Sequence, residues 1–138
     1  MLQIETDPSK KLGYIPEYYL SNSTIKEYEI FDSVTSIGRE AFYGCKSLTS
    51  VEIGDNVTTI DSAAFCRSGI KTTILGNNPL LHIAPNAFYK SDLETIEFKG
   101  TKKEVKKNGI GSISLKEWKE TPTLKKIVCT DGVLKLRT

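Results

Sequence analysis

The sequence predicts a solenoid, mainly β with short helical turns, whose parallel strands stack at a 22–23-residue period. Three observations predict it. The stretch LTSVEIGDNVTTIDSAAFCRSG at 48–69 recurs upstream as IKEYEIFDSVTSIGREAFYGCKS (25–47) and downstream as IKTTILGNNPLLHIAPNAFYKSD (70–92). When the copies are laid over one another, their apolar positions coincide in columns. Within a copy, segments such as SVEI alternate apolar and polar residues with period two, the mark of a short strand.

The columns in the first half of each copy are Ile25, Leu48, Ile70; Tyr28, Val51, Thr73; and Ile30, Ile53, Leu75. Those in the second half are Val34, Val57, Leu80; Ile37, Ile60, Ile83; Ala41, Ala64, Ala87; and Phe42, Phe65, Phe88, with one residue inserted in GNNPL of the third copy. One such unit cannot bury its own apolar face, whereas stacked neighbours make a continuous core with a parallel sheet. Strand spacing of about 4.8 Å puts Phe65 between Phe42 and Phe88, a core spine and not a ligand box. The period falls within the leucine-rich-repeat range, so the fold class is a leucine-rich-repeat solenoid.

Element by element, residues 1–24 read as a degenerate first repeat. Leu2 and Ile4 stand at the Tyr28 and Ile30 positions, Leu12 roughly at Val34, Ile15 at Ile37 and Leu20 at Phe42, with TDPSKKLG as an insertion. Tyr14, Tyr18 and Tyr19 could cover the open end of the stack or form a binding patch. The full repeats follow over 25–98. FDS, GDN and GNNP mark turns at the strand exits. REAF, SAAF and PNAF read as single helical or 3₁₀ turns, with Pro85 suited to the first position. Gly38 aligns with Asp61 and Ala84, so its column does not demand a positive φ. LETIEFKG starts a further strand with Leu93, Ile96 and Phe98 in core columns. KKEVKK reads as a short helix. The pattern resumes in LKKIVC, with Ile127 and Cys129 inward, and Trp118 is expected to pack over the end of the last repeat. The organisation expected is one domain, 1–138, with a cap over 99–138.

The pattern LxxVxIxxxVTxIxxxAFxxC, as it stands in LTSVEIGDNVTTIDSAAF and IKEYEIFDSVTSIGREAFYGC, resembles the BspA-type leucine-rich repeat. The tail, with its FKGTK start, the single Trp118 and the final CTDG, resembles the module that often closes such arrays. The resemblance covers nearly the whole chain. It implies a curved solenoid used for adhesion or protein binding, without an active site, of a kind found in surface proteins of gut and oral bacteria, in some protists and in bacteriophage. It also implies that the C-terminus is natural.

Charge is uneven. Residues 1–98 carry 8 Lys/Arg and 13 Asp/Glu; residues 99–138 carry 11 and 4. The acidic body with its basic cap points to an acidic partner or nucleic acid, or simply to a solvated cap surface. No apolar run is long enough to span a membrane. The N-terminus lacks the apolar core of a signal peptide. A cytoplasmic location is therefore expected, or the cell surface if the chain is cut from a longer precursor.

No catalytic constellation emerges. His82 is the single histidine and is expected to be exposed, so no His/Cys/carboxylate metal set forms at recognised spacing. GIGS at 109–112 lacks the lysine and the strand–helix context of a phosphate cradle. Cys45 and Cys66 lie eight and six residues beyond Ile37 and Ile60. A disulfide between them is open, with free buried thiols favoured for these two and for Cys129. No cofactor and no enzymatic activity are expected.

The candidate binding residues project from the strands. One file runs Glu27, Ser50, Thr72, Thr95, Lys126 and the next Glu29, Glu52, Ile74, Glu97, Val128. From these the proposed site is Glu27, Glu29, Ser50, Glu52, Thr72, Ile74, Glu97 and Lys126. Glu29 and Glu52 are expected side by side, a like-charge pair costing up to about 1 kcal/mol. That cost suggests a basic partner unless the carboxylates splay into water. Ile74, exposed in mid-face with Phe31 nearby, is the anchor. About a dozen outward residues fall short of the roughly 20–30 of a standard interface, so the face alone would bind weakly. The function expected is a non-catalytic protein-binding module, an intracellular or phage-encoded inhibitor of another protein. The alternatives are an adhesin fragment, or nucleic-acid binding through Lys102, Lys103, Lys106, Lys107, Lys116 and Lys119.

Overall fold

The computed structural model describes residues 7–84, 86–107 and 121–135. In chain order the elements are α1 (Pro8–Leu12), β1 (Tyr14–Ile15), β2 (Ser36–Ile37), β3 (Ser50–Ile53), β4 (Thr59–Ile60), β5 (Thr72–Leu75), β6 (His82–Ile83), β7 (Thr95–Phe98), α2 (Lys102–Lys107), β8 (Lys126–Cys129) and β9 (Gly132–Lys135). Two sheets face each other across the core. One is narrow, in the order β1-β2-β4-β6, and the other is β3-β5-β7-β8-β9. All pairs are parallel except the β8–β9 hairpin.

The columns explain the packing. Ile15 aligns with Ile37, Ile37 with Ile60, and Ile60 with Ile83. All four are buried. On the opposite wall Val51, Thr73, Ile96 and Ile127 form one inward row. Thr73 is buried because its hydroxyl donates to the Val51 carbonyl at 3.0 Å. Phe42, Phe65 and Phe88 stack face to face with centroids 5.0 and 5.2 Å apart. Alanine is retained beside each phenylalanine, at Ala41, Ala64 and Ala87, all without exposure. A larger side chain there would compete with the ring for the same interior.

The segments REAF and SAAF are not helical; they are tight turns. Each contains left-handed residues at repeat spacing: Tyr18, Glu40 and Ala63 in one series, Asn22, Gly44, Arg67 and Lys90 in the other. Alternate donors close i→i+3 bonds within the turn, as Ala41 N–H does to Gly38 C=O at 3.2 Å, and the donors between them cross to the next repeat. Phe42 N–H donates to Ala64 C=O at 2.8 Å and Phe65 N–H to Ala87 C=O at 2.7 Å. Bonding to the neighbour replaces the i→i+4 ladder of a helix, and the left-handed residues turn those donors outward. Pro85 lies outside the described residues.

Two column assignments shift. Leu80 is 74% exposed and Leu81 fills the Val57 space. The insertion in GNNPL makes a turn around Asn78, whose Oδ1 accepts from Leu80 N–H and whose Nδ2 donates to the Asp55 and Val57 carbonyls. Leu12 is exposed as well, because the insertion forms a helix over Pro8–Leu12. Asp7 caps α1 by accepting from Ser9 N–H, and Gly13 closes it at φ 79°. At Gly38 φ is unremarkable, but a Cβ would meet the Ile15 carbonyl oxygen at 2.6 Å, because the first repeat crosses close above it.

The largest departure is at 26–31. YEI was expected to be the first strand of the wide sheet, yet Tyr28–Ile30 is not a strand and β3 is the sheet's edge among the described residues. Glu29 is therefore not laddered to Glu52. Tyr28 stays inward, 7% exposed, but its hydroxyl is tied to the N-terminal segment. Tyr28 turns edge-on to Phe42, with centroids 5.2 Å apart, and donates its hydroxyl to Asp7 Oδ2, with Ser9 Oγ at 3.1 Å. The segment thereby belongs to the N-terminal cap.

Burial first, and then the bond to Asp7, push the Tyr28 pKa well above its ordinary value, against a smaller opposing effect of Ser9. A raised folded-state pKa means that the stability it reports is fully present below the unfolded value of about 10 and is lost as pH rises beyond it. Stability measured by urea denaturation is expected to fall above about pH 10, and Tyr28→Phe to flatten that fall. The same change should cost about 1–3 kcal/mol at neutral pH, because the buried Asp7 loses one of its donors. An unchanged alkaline profile in Tyr28→Phe would contradict this linkage.

At the other end α2 begins with a reciprocal capping box. Thr101 Oγ1 accepts from Glu104 N–H at 3.2 Å, and Glu104 Oε1 accepts from Thr101 N–H at 2.9 Å. Glu104 Oε2 also accepts from Asn77 at 2.8 Å, tying the cap to the third repeat's turn.

Candidate functional site

The outward face of the wide sheet gathers most of the predicted residues. Ser50, Thr72, Thr95 and Lys126 are in register, as are Glu52, Ile74, Glu97 and Val128. Both files thus exist from β3 to β8. Glu27 and Glu29 are exposed but stand off the ladder, on the irregular segment 26–31. Ile74 is half-buried, not fully exposed, between Glu52 and Glu97. Phe31 is drawn into the core margin, with Lys10 Nζ 5.7 Å above its ring, and is no second anchor.

A groove of about 1060 Å³ lies beside 26–31 and β3 and extends over the outer face to Thr72 and Ile74 of β5 and Glu97 of β7. Its lining includes Glu27, Glu29, Ser50, Glu52, Thr72, Ile74 and Glu97, seven of the eight residues predicted from sequence. Lys126 lies outside it. The groove itself was not foreseen. Glu52 is countered by Lys99 at 3.5 Å, with both side chains at least half exposed, so the pair adds little stability.

Nothing in this face resembles a reaction centre. Among the described residues no group of three or more His, Cys, Asp and Glu could hold a metal ion. His82 is exposed. The three cysteines are free and buried, and burial pushes each thiol pKa up. Cys45 Sγ donates to the Leu20 carbonyl at 3.0 Å, so it acts as a small core residue and not as a nucleophile. Tyr14 and Tyr18 are about half exposed, whereas Tyr19 packs against the core; of the three, Tyr19 contributes to covering the first repeat. Among the cap lysines, Lys103 is exposed and Lys102 is half-buried. Trp118, Lys116, Lys119 and GIGS at 109–112 lie outside the described residues, as do Leu2 and Ile4.

A two-walled stack of parallel strands at this period, with phenylalanine and alanine files inside, defines a leucine-rich-repeat solenoid. Residues 13–131 match the model of the BspA type leucine rich repeat region in six copies, and the chain belongs to that family. A solved leucine-rich repeat protein from Eubacterium ventriosum is similar at 18% identity and a TM-score of 0.44, over 94% of this chain and 36% of that one. The chain thus spans about a third of that protein's length. No curated protein matches it. No helix among the described residues is long and apolar enough to cross a membrane.

Proposed function

We propose that the protein is a non-catalytic protein-binding module that uses the outward face of β3, β5 and β7. The observation that carries this reading is the register of that face. It places the half-buried Ile74 between Glu52 and Glu97, an apolar centre with an acidic rim, beside a groove. Interfaces take this form, with an apolar anchor inside a polar border. Leucine-rich repeats support the same reading, because stacking turns a row of strands into a rigid display surface. The finer proposal is an inhibitor that acts by covering another protein; the adhesin is its alternative within the same class.

The test is capture of partners on the immobilised protein from a lysate of its source, with and without nuclease. One nuclease-resistant protein is expected. It should be lost with Ile74→Arg while the variant's melting transition stays within a few degrees of the parent. Material that disappears with nuclease would move the function to the basic cap, and binding only to whole cells would favour the adhesin. Retention of the partner by Ile74→Arg would remove the strand face from the site.

A further inference from the structure

We propose that the groove beside β3 receives an extended, lysine- or arginine-bearing peptide segment of the partner, which pairs with β3 as an added strand. This rests on the protein-binding reading and gives the partner's chemistry. Two independent features point to it.

The first is an open backbone edge. β3 pairs only with β5 among the described residues. The Thr49 and Ile53 carbonyls accept from Lys71 and Gly76 N–H on the β5 side, and the Val51 carbonyl from the Thr73 hydroxyl. Backbone groups alternate sides along a strand, so the N–H and C=O groups of Ser50 and Glu52 face the other way, toward the groove. No backbone hydrogen bond joins residues 26–31 to β3. Edge groups of this kind are a template for another strand, and main-chain bonds supply the affinity in such additions. Natural edges are commonly blocked by proline, a charged side chain or a bulge; in the Ser-Val-Glu-Ile of β3 the charged residue is Glu52, which repels an acidic strand and attracts a basic one.

The second is charge. Among the described residues Lys26 is the one basic residue in the lining, against Glu27, Glu29, Asp32, Glu97 and Glu52, the last already paired with Lys99. An alternating peptide would turn its cationic side chains toward these carboxylates, which stand on both walls. Its backbone would reach Ser50 and Glu52. A second copy of this chain is a poorer occupant, because its own β3 edge carries the same acidic charge.

The experiment uses a labelled, end-blocked (Lys-Val)₄ peptide titrated against the full chain by fluorescence anisotropy. Controls are (Glu-Val)₄ and a (Lys-Val)₄ peptide N-methylated at alternate residues to remove one edge's donors. Binding of (Lys-Val)₄ is expected, at least tenfold weaker for the N-methylated peptide and at least tenfold weaker for (Glu-Val)₄. Ser50→Pro, which removes an open-edge N–H at the first position of the strand where proline is tolerated, is expected to weaken binding at least tenfold. Hydrogen exchange gives a reading independent of any variant. The Ser50 and Glu52 amides should exchange faster than those of Val51 and Ile53 in the free protein, and become protected with the peptide. Equal binding of the N-methylated peptide overturns strand addition, and so does a groove filled by self-association that Ser50→Pro abolishes. Loss of the captured partner with Ile74→Arg, combined with no peptide binding, would leave the protein-binding reading standing and remove this one.

Discussion

Phe65→Ala is expected to destabilise the fold by about 3–5 kcal/mol, the largest effect of any single truncation here. The Phe65 ring is fully buried and is stacked on both faces, 5.0 Å from Phe42 and 5.2 Å from Phe88. Truncation removes the ring's transfer free energy and opens a cavity in mid-stack. The neighbouring rings cannot slide in, because each is fixed by its own repeat, whose backbone is bonded across at Phe42–Ala64 and Phe65–Ala87. The loss also divides the molecule. Repeat stability is close to a sum of unit and nearest-neighbour contributions, so removing the middle ring weakens two interfaces at once. Urea denaturation should show a much lower midpoint, and a broadened transition if the halves uncouple. Phe65→Leu, which keeps most of the apolar volume, is expected to cost less than half as much. A loss below about 1.5 kcal/mol for Phe65→Ala would mean that the stack collapses freely around the gap, against the rigidity of packed interiors.

Gly69→Ala is expected to cost about 3 kcal/mol, at the upper end for overpacking, although it adds a single methyl. A Cβ at Gly69 would run into the Lys46 carbonyl oxygen of the preceding repeat, which is backbone and cannot rotate away. The reason is visible in the spacing. Leu48 lies six positions after Phe42, but Ile70 only five after Phe65. The shorter path cuts across the corner, where Gly69 N–H donates to the Cys45 carbonyl at 3.1 Å. Gly54→Ala is the matching control. A Cβ there meets nothing within 4 Å and φ is not positive, so the change is expected to be neutral or to stabilise by up to about 1 kcal/mol through the unfolded chain. Equal effects at the two glycines in thermal or urea denaturation would defeat the steric explanation.

The columns were legible because burial in a stack repeats. Ile37 and Ile60, Ala41 and Ala64, and Phe42 and Phe65 each face the same neighbours one unit on, so a shared position implies a shared environment. Register was legible for the same cause: Ser50, Thr72, Thr95 and Lys126 meet because equal repeats leave one way to stack them. The departures fall where a unit differs from its neighbours. GNNPL carries an extra residue, and Asn78 builds a turn that ejects Leu80 and seats Leu81. TDPSKKL has no counterpart in the other copies; its Asp7 cap and Gly13 stop make a helix that period-two reading passed over. REAF and SAAF looked helical by composition. Alternate backbone donors close i→i+3 turns and the rest go to the next repeat, a choice that local propensity cannot register. The capping box at Thr101–Glu104 was readable from TKKE.

The candidate site shows the same division. The sequence by itself determined which side chains leave the sheet on its outer face, because alternation along a strand is a local geometric rule. It also determined the acidic character of the repeat body, and the repeat pattern that defines the family. Only the tertiary structure decided that Tyr28, still inward, bonds Asp7 and Ser9, residues 21 and 19 positions away. Beside that long-range contact 26–31 forms no strand, and the Ser50–Glu52 edge is unpaired among the described residues. Alternation follows from the backbone of one strand, whereas an open edge depends on whether the neighbouring segment pairs with it, and that is settled by packing between distant parts of the chain.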